Sequence, residues 1–431
     1  MRFMKRTKFI LISSFTIFSA VTLPAQETSE SLEQENARKI AELQDAIKHS
    51  SGLEISGYIQ AQWAYCNTSL DEEIPAYTSN CNTEFSKDMN NLFRVRRGRF
   101  KLHYESNNVS YVLMPDFTEK EARILDGYAR YATKNQVFAL QAGIFTIPFG
   151  YEVEYSSSKR ESIERSRVIT VCFPGYRDPG AKITLKGTSG FLSWFALDAA
   201  FFNGNGIGYE SDSYKNFVGR LSWSREFSGT SLNFAASYYH GGIVHTTTGN
   251  YLFEKGKGFV HQDVSVGKVE KRLYYAISGK LTRNDRTWGA TNLTAEYIWG
   301  EQPGGIEMNN NPGKGASIAG DLYNRNFSGG YVMLAQDIGR TKHTVMLKYD
   351  YFDPNTKISG NAIGALADTG AADIAYRCIS LGYQFRYNDM LKFVLQYDMN
   401  RNERTSAPFD DGIFNGHIRQ DVLTVRTQVK F

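Results

Sequence analysis

Beyond residue 25 the sequence contains no long apolar run. A membrane-spanning helix needs ~20 consecutive apolar residues, so the absence of such a run excludes helical membrane spans from this part of the chain. Proline and cysteine are also scarce, with 10 and 4 residues among 431. Few prolines leave room for uninterrupted strands, and four cysteines are too few for a disulfide-rich scaffold.

Motifs of catalysis and cofactor binding are absent as well. The 7 histidines are scattered without a metal-binding spacing such as H-E-x-x-H. The sequence also has no G-x-S-x-G motif, no P-loop and no glycine-rich dinucleotide motif. We therefore predict a protein that is not an enzyme and that binds no metal and no cofactor.

The N-terminus has the pattern of a secretory signal peptide, residues 1–25. Four bases lie among the first eight residues, the apolar run Phe9–Leu23 follows, and Ala25 supplies a small residue before the expected cleavage site. A membrane anchor is the alternative, although the run is short for one. Since the formal net charge is +4, cleavage leaves a neutral chain, and its charge does not predict binding to nucleic acid.

Residues 26–52 differ in composition from everything that follows. The segment Glu27–His49 lacks glycine, proline and aromatic residues, and it places Leu32, Ile40 and Leu43 near helical spacing. We predict a short periplasmic helix that could pair as a small coiled coil. A flexible tail is the alternative.

Residues 53–431 change to an apolar pattern of period two, which predicts β-strands. We predict sixteen strands, near residues 54–65, 92–105, 109–116, 125–133, 137–145, 181–187, 191–202, 215–225, 231–240, 269–282, 289–299, 327–337, 342–352, 372–386, 391–400 and 419–431.

The connections between these strands alternate in length. Short turns such as Ser106–Asn108 and Lys134–Gln136 alternate with long loops such as 66–91, 146–180 and 241–268. This alternation is typical of bacterial outer-membrane barrels. We therefore predict an all-β fold, a transmembrane antiparallel β-barrel of about 16 strands with the short N-terminal helix on the periplasmic side.

The last predicted strand has two chemically different faces. Leu423, Val425 and Val429 lie on one face, whereas Arg426 and Gln428 lie on the other. A charge on the lipid-facing surface of a barrel costs about 2–4 kcal/mol at mid-membrane. The apolar face is therefore expected to contact lipid, and the charged face to line the lumen.

The loop at residues 146–180 is the main candidate for a functional element. It carries five bases and five acids, together with aromatic and Pro-Gly residues that favour an ordered structure. A loop of this length is either functional or disordered. We predict that it folds back into the bore of the barrel and narrows it; a surface loop is the alternative.

Basic side chains are the candidates for binding solutes in the lumen. Strand alternation and the loop prediction place twelve of them on the inner surface: Arg97, Arg99, Lys101, Arg130, Lys159, Arg160, Arg165, Arg167, Lys182, Arg220, Lys348 and Arg426. Such bases favour anions in a confined channel, and Arg binds phosphate through two hydrogen bonds. Inward acids such as Asp126, Glu296 and Asp398 support the alternative that lumen charges only keep the bore hydrated.

The four cysteines allow two disulfides in an oxidising compartment. Cys66 and Cys81 fall in one predicted loop, whereas Cys172 lies in the loop 146–180 and Cys378 on the lumen face of a distant strand. We predict a Cys66–Cys81 pair and a Cys172–Cys378 pair, the second holding the long loop in the bore. Two free buried thiols are the alternative for the second pair.

Several segments resemble the phosphate-selective porin O and P family, particularly its forms in Bacteroides-like bacteria. These segments are RVRRGRFKLHY (Arg94–Tyr104), ILDGYARY (Ile124–Tyr131), LQAGIFTIPFGYE (Leu140–Glu152), SSSKRESIERSR (Ser156–Arg167) and FPGYRDPGAKI (Phe173–Ile183). The resemblance implies a sixteen-stranded trimeric barrel with an N-terminal periplasmic segment and a third loop folded into the bore. It also implies a bore lined by bases that serve phosphate or polyphosphate.

Together these patterns predict a diffusion porin in the outer membrane of a Gram-negative bacterium. It would form a homotrimer in outer-membrane lipid and pass small hydrophilic solutes with a preference for anions such as phosphate. The alternatives are a general non-selective porin, or a barrel that displays its surface loops for adhesion or binding.

Overall fold

The computed structural model describes residues 38, 52–67, 85, 89–208, 210, 212–307, 320–406 and 420–431. The chain divides into two compact units, Met1–Ser51 and Gly52–Phe431. In the first unit only Arg38 is described, and it is helical. The predicted signal peptide and the rest of the predicted 26–52 segment up to Ser51 therefore lie outside the described residues. Within the described residues, no helix is both long and apolar enough to cross a bilayer.

The second unit contains one sheet of eighteen described strands. Their bounds are β1 (Leu53–Cys66), β2 (Asn91–Ser106), β3 (Val109–Phe117), β4 (Ala122–Ala132), β5 (Phe138–Thr146), β6 (Arg177–Lys186), β7 (Phe195–Phe202), β8 (Asn216–Phe227), β9 (Thr230–Val244), β10 (Gly249–Glu254), β11 (Gly258–Asp263), β12 (Val269–Asp285), β13 (Gly289–Gly304), β14 (Leu322–Asp337), β15 (His343–Asp353), β16 (Tyr376–Arg386), β17 (Leu391–Asn402) and β18 (Val422–Lys430).

Sixteen of these strands close an antiparallel barrel. Each wall strand pairs with its neighbour in chain order, β9 pairs with β12, and β1 closes the ring by pairing with β18 as well as with β2. The remaining two strands, β10 and β11, form a hairpin in the loop between β9 and β12. The predicted sixteen-stranded barrel is confirmed, and each predicted strand overlaps an observed one.

The predicted loop 241–268 is more structured than the sequence indicated. Its β10–β11 hairpin packs on the long-loop side of the barrel, where the rings of Tyr251 and Tyr323 stack with centroids 4.3 Å apart. Phe253 and Phe259 of the hairpin form a buried cluster that includes Ile363 of the loop between β15 and β16. Two long loops therefore fold together over this side of the barrel wall.

Two strand boundaries near the long loop differ from the prediction. β6 begins at Arg177 rather than at residue 181, because Pro179 and Gly180 pair with β5 instead of forming loop. The predicted strand 191–202 begins only at Phe195, since Gly190–Trp194 forms a 3-10 turn. Gly190 has φ 54°, a left-handed conformation that glycine adopts without strain.

The two faces of the wall have the predicted chemistry. In β18, Val425 is 40% exposed on the outer face, whereas Arg426 is 3% exposed on the inner face. The same alternation places large apolar side chains such as Phe93, Ile277 and Val332 on the outside. The barrel thus presents an apolar surface to lipid and a polar surface to its interior.

Residues 147–176, here called the inner loop, connect β5 to β6 inside the barrel. The loop contains one short helix, α1 (Arg167–Cys172). Its backbone and side chains hydrogen-bond to inward-facing side chains on opposite parts of the wall, including Tyr58 of β1, Ser237 of β9 and Gln396 of β17. The inner loop therefore fills part of the bore.

Candidate functional site

An aromatic cluster holds one side of the inner loop against the wall. Phe173, which follows α1, packs its ring 4.8 Å from that of Phe149 and 5.6 Å from that of Tyr274 in β12. Val168 and Ile169 of α1 are fully buried in the same cluster. Burying aromatic rings of this size is strongly favourable, so this cluster fixes where α1 lies.

The start of the loop is bound by a wall carboxylate. The backbone N–H groups of Tyr151 and Glu152 donate to the two carboxylate oxygens of Glu296, each at 3.0 Å, and Gly150 N–H donates to Ser237 Oγ at 3.0 Å. Gly150 has φ 59°, and an added Cβ would lie 1.7 Å from Glu296 Oε1. Only glycine fits this close approach without a shift in the structure.

Glu152 and Arg165 organise the interior of the loop. The Glu152 carboxylate accepts hydrogen bonds from Ser166 N at 2.8 Å and Ser166 Oγ at 2.5 Å, and Lys348 Nζ lies 3.6 Å from it. Arg165 donates to the backbone carbonyls of Glu152 at 2.9 Å and of Val153 at 3.1 Å. These bonds give the loop a defined shape of its own.

Three arginines of the wall bind one carboxylate of the loop, that of Glu164. The closest distances from this carboxylate are 3.0 Å to Arg96 Nε, 2.9 Å to Arg97 Nη2 and 2.6 Å to Arg426 Nη2. Burial disfavours the charged form of Glu164, but the three guanidinium groups outweigh burial and hold its pKa well below the usual value of 4.5.

A β-bulge in β2 allows consecutive arginines to reach Glu164. The pairing of β1 with β2 shifts between Gln60 and Ala61, so that Gln60 lies opposite Arg97 and Ala61 opposite Val95. Arg96 is then the extra residue of the bulge, which re-aims its side chain. We call Arg96, Arg97, Arg426 and Glu164 the arginine clamp.

The tip of the loop is attached next to this clamp. Ser157 Oγ lies 2.6 Å from the hydroxyl of Tyr58, and Gln60 Nε2 donates to Ser157 O at 3.1 Å. Arg99 bonds to the same tip, with Nη1 3.2 Å from Ser157 Oγ, and its Nε lies 3.2 Å from Asp116 Oδ2. The tip is thus fixed to β1 and β2.

Seven of the twelve predicted channel-lining bases are covered by this arrangement. Buried between or within the inner loop and the wall are Arg97, Arg99, Arg160, Arg165, Arg167, Lys348 and Arg426. The wall members face the interior as strand alternation predicted, but the loop separates them from the open channel. Most of their charges bind loop carboxylates and carbonyls, and their role in lining the channel stays a prediction.

The other five predicted bases are less buried. Lys101, Arg130, Lys182 and Arg220 are half-buried on the inner wall, and Lys159 is exposed on the loop. Two of the five have acidic neighbours: Arg220 pairs with Glu154, and Lys182 Nζ lies 3.9 Å from Asp198. Lys101, Arg130 and Lys159 form no ion pair within the described part of the chain.

Sequence reasoning missed Arg96 and Glu164 as partners in the site, and it predicted an inward Lys280 without giving it a role. Lys280 lies on the inner wall, with Nζ 3.0 Å from the Tyr151 hydroxyl and 4.9 Å from the centre of the Tyr155 ring. One signal was available for Arg96: arginines at 94, 96 and 97 place charge on both parities of a strand, which a regular barrel strand avoids. Nothing in the sequence indicated that Glu164 would bind Arg96, Arg97 and Arg426.

The predicted Cys172–Cys378 disulfide is not formed. Cys172 is buried in α1 within the aromatic cluster, whereas Cys378 in β16 carries a free thiol 3.6 Å from Ser380 Oγ. Cys172 belongs to the same buried cluster as Phe173 and Tyr274, so packing rather than this disulfide holds the loop. The Cys66–Cys81 prediction involves Cys81, which lies outside the described residues.

The family follows from a comparison of the sequence with family models. The model for the phosphate-selective porin O and P family matches residues 76–431, which is most of the chain. The chain belongs to this family. The protein is therefore a porin of the outer membrane. No curated protein sequence matches this porin significantly.

Solved structures of outer-membrane channels share the fold of this porin. The channel DcaP of Acinetobacter baumannii is 10% identical, with a TM-score of 0.53 over 88% of this chain and 97% of its own. OprB of Pseudomonas putida is 10% identical, with a TM-score of 0.56 over 91% and 97%. OmpT of Vibrio cholerae in its trimer form is 8% identical, with a TM-score of 0.51 over 88% and 99%. At these identities the likeness shows the fold alone.

Proposed function

We propose that this porin is a diffusion channel for small hydrophilic solutes that prefers anions, with phosphate as the physiological example. The proposal is supported by three bases, Lys101 and Arg130 on inward-facing strand positions and Lys159 on the inner loop, that are half-buried or exposed and form no ion pair among the described residues. An unpaired cation in a confined aqueous channel raises the local concentration of anions.

The paired bases contribute less to this preference. Arg220 lies beside Glu154 and Asp198, and Lys182 lies beside Asp198, so their fields are partly cancelled inside the channel. The clamp arginines contribute still less, because Glu164 neutralises part of their charge and the inner loop covers them. The account therefore predicts a modest anion preference, set by few residues.

The test is a measurement of reversal potential in a KCl gradient across a planar bilayer. The triple variant Lys101→Gln/Arg130→Gln/Lys159→Gln should shift the reversal potential towards cations. The shift should be largest at low salt, where the Debye length exceeds ~10 Å. Phosphate added to the wild-type channel should reduce the chloride current more than in the variant.

A matched triple variant controls for the change in net charge. Lys255, Arg286 and Arg340 lie on exposed turns, and their replacement by Gln removes the same charge outside the bore. This control should keep the wild-type reversal potential. Equal selectivity in all three proteins would reject the anion preference and leave a general non-selective porin, and the absence of a large conductance would favour a display barrel.

We also propose that the porin assembles as a homotrimer in outer-membrane lipid. The outer wall carries a groove of about 650 Å³ between β12 and β15, where Gly279, Ala295 and Gly330 lie between exposed rings of Phe234 and Tyr349. Small residues on a lipid-facing surface permit close packing of a neighbouring wall. Native mass spectrometry in detergent should give the trimer; a monomer under mild conditions would contradict it.

A further inference from the structure

One buried guanidinium group behind the inner loop lacks the partners that its burial requires. Arg160 is 3% exposed, and within the described residues none of its three guanidinium nitrogens has a hydrogen-bond partner. Burying a charge is unfavourable unless the charge is paired and hydrogen-bonded. Arg160 therefore differs from Arg165, which binds backbone carbonyls, and from Arg167, which lies 3.6 Å from the centre of the Tyr376 ring.

The surroundings of Arg160 carry an excess of positive charge. Its charge interacts with those of Arg97, Glu164 and Glu152. Glu164 is already shared by the three arginines of the clamp. Glu152 is already bound by Ser166 and lies 3.6 Å from Lys348 Nζ. Both carboxylates attract Arg160, but each is shared with other bases and neither hydrogen-bonds to it.

Further arginines around Tyr176 add to the positive charge near Arg160. Arg165 binds backbone carbonyls and lies 3.8 Å from the centre of the Tyr176 ring, so a neutral environment solvates its charge. Burial should raise the pKa of Tyr176, yet Arg165, Arg97 and Arg99 together lower it well below the usual value of 10. The potential behind the loop is thus strongly positive.

We propose that Arg160 and its neighbours bind one small inorganic anion, a halide or a tetrahedral oxyanion, behind the inner loop. The anion would accept hydrogen bonds from the Arg160 guanidinium and from Arg97 Nε, which also has no partner among the described residues. Because these groups are covered by the loop, the anion is a fixed structural component and does not permeate. It stabilises the inner loop in the bore, and this role does not depend on the anion preference of the channel.

The experiment measures thermal unfolding of the full-length folded porin in detergent. Sodium chloride or sodium phosphate replaces sodium gluconate at constant ionic strength, since gluconate is too large for a site beneath the loop. We expect a saturable rise of the unfolding midpoint with chloride, phosphate or both, and the two titrations show which anion the site takes. Arg160→Gln should weaken this response on the order of tenfold, as expected for the loss of a charge-assisted hydrogen bond.

The Lys255→Gln variant is the matched control, because it removes the same charge from an exposed turn away from the inner loop. This control should keep the wild-type response to each anion. A second measurement does not depend on variant stability: crystals soaked in the anion that raises the unfolding midpoint, with bromide replacing chloride, should show density for that anion beside the Arg160 guanidinium. An unfolding midpoint that ignores both anions, or a response equal in Arg160→Gln and wild type, would overturn the proposal. A crystal with only water at this position would do so as well.

Discussion

Two parts of the inner wall use the same residue types for different purposes. On β2 and β18 the inward arginines bind the inner loop through Glu164 and the loop tip. On β4 and β6 the inward bases Arg130 and Lys182 are half-buried, and among the described residues they form no hydrogen bond or ion pair with the inner loop. The difference lies in whether the loop covers the side chain.

The comparison shows that an inward base is not automatically a solute-binding base. A covered guanidinium that binds a loop carboxylate stabilises the position of the loop and so sets the width of the bore. An uncovered base acts on ions in the water of the channel. The first group is expected to control stability and conductance, and the second group the choice of ion.

The largest expected effect on stability comes from Glu164→Gln. This change leaves three clamp arginines without their carboxylate, and breaking a buried ion pair costs about 3–5 kcal/mol. Urea unfolding should show the loss, and single-channel conductance should rise as the loop loosens. The control is Glu154→Gln, also in the inner loop, whose partly exposed pair with Arg220 of β8 should contribute below about 1 kcal/mol. Equal losses would abolish the distinction between the two walls.

Phe173→Ala should have the next largest effect. The substitution removes a buried ring that contacts Phe149, Tyr239 and Tyr274, and such changes cost about 3 kcal/mol or more. The variant should unfold at lower urea and pass larger solutes in liposome-swelling assays. Phe173→Leu, which keeps most of the volume, should lose less than about 1.5 kcal/mol. If both variants behave like wild type, the aromatic cluster does not hold the loop.

Gly150→Ala should cost about 2 kcal/mol, because the new Cβ would meet Glu296 Oε1 at 1.7 Å in addition to its unfavourable positive φ. Gly175→Ala provides the control: Gly175 also has a positive φ, 82°, but nothing lies within 4 Å of an added Cβ. Unfolding curves of the two variants separate steric fit from backbone strain. A cost for Gly175→Ala as large as that for Gly150→Ala would mean that the contact with Glu296 is unimportant.

The smallest effect concerns pH. Since the folded pKa of Glu164 lies well below its usual value of 4.5, the unfolded chain binds more protons between these two values. The stabilisation is therefore complete above the usual pKa and is lost as pH falls through the folded value, by about 1.4 kcal/mol per pH unit in that window. Unfolding midpoints between pH 3 and 7 should show this slope in wild type and a weaker slope in Glu164→Gln. Identical slopes in wild type and Glu164→Gln would show that Glu164 does not cause this pH dependence.

The sequence predicted the wall of the barrel well because its signal is local. Alternation such as Val425 against Arg426 depends only on the period of a strand and on the cost of charge in lipid. The strand positions followed from the same pattern. One strand boundary was predicted wrongly, since Pro179 and Gly180 belong to β6 and not to the loop. A proline near the start of a strand lacks only one hydrogen-bond donor, so the strand tolerates it.

The division of the bases could not be predicted in the same way. Whether Arg97 or Lys101 reaches channel water depends on where residues 147–176 lie, and the aromatic contacts of Phe149 and Phe173 with β9 and β12 decide that position. The bulge that brings Arg96 to Glu164 is a property of the β1–β2 pairing. The Cys172–Cys378 prediction was wrong for the same reason, because packing of α1 is a tertiary property.

The most direct test of the two-wall account is the reactivity of individual lysines in the folded porin. Lys348 is 2% exposed beneath the inner loop, whereas Lys159 is exposed on the loop and Lys101 is half-buried on the lumen wall. Acetic anhydride followed by peptide mass spectrometry should modify Lys159 and Lys101 rapidly and Lys348 slowly, with all three equal after denaturation. Equal rates for Lys348 and Lys159 in the folded protein would show that the loop does not cover the wall.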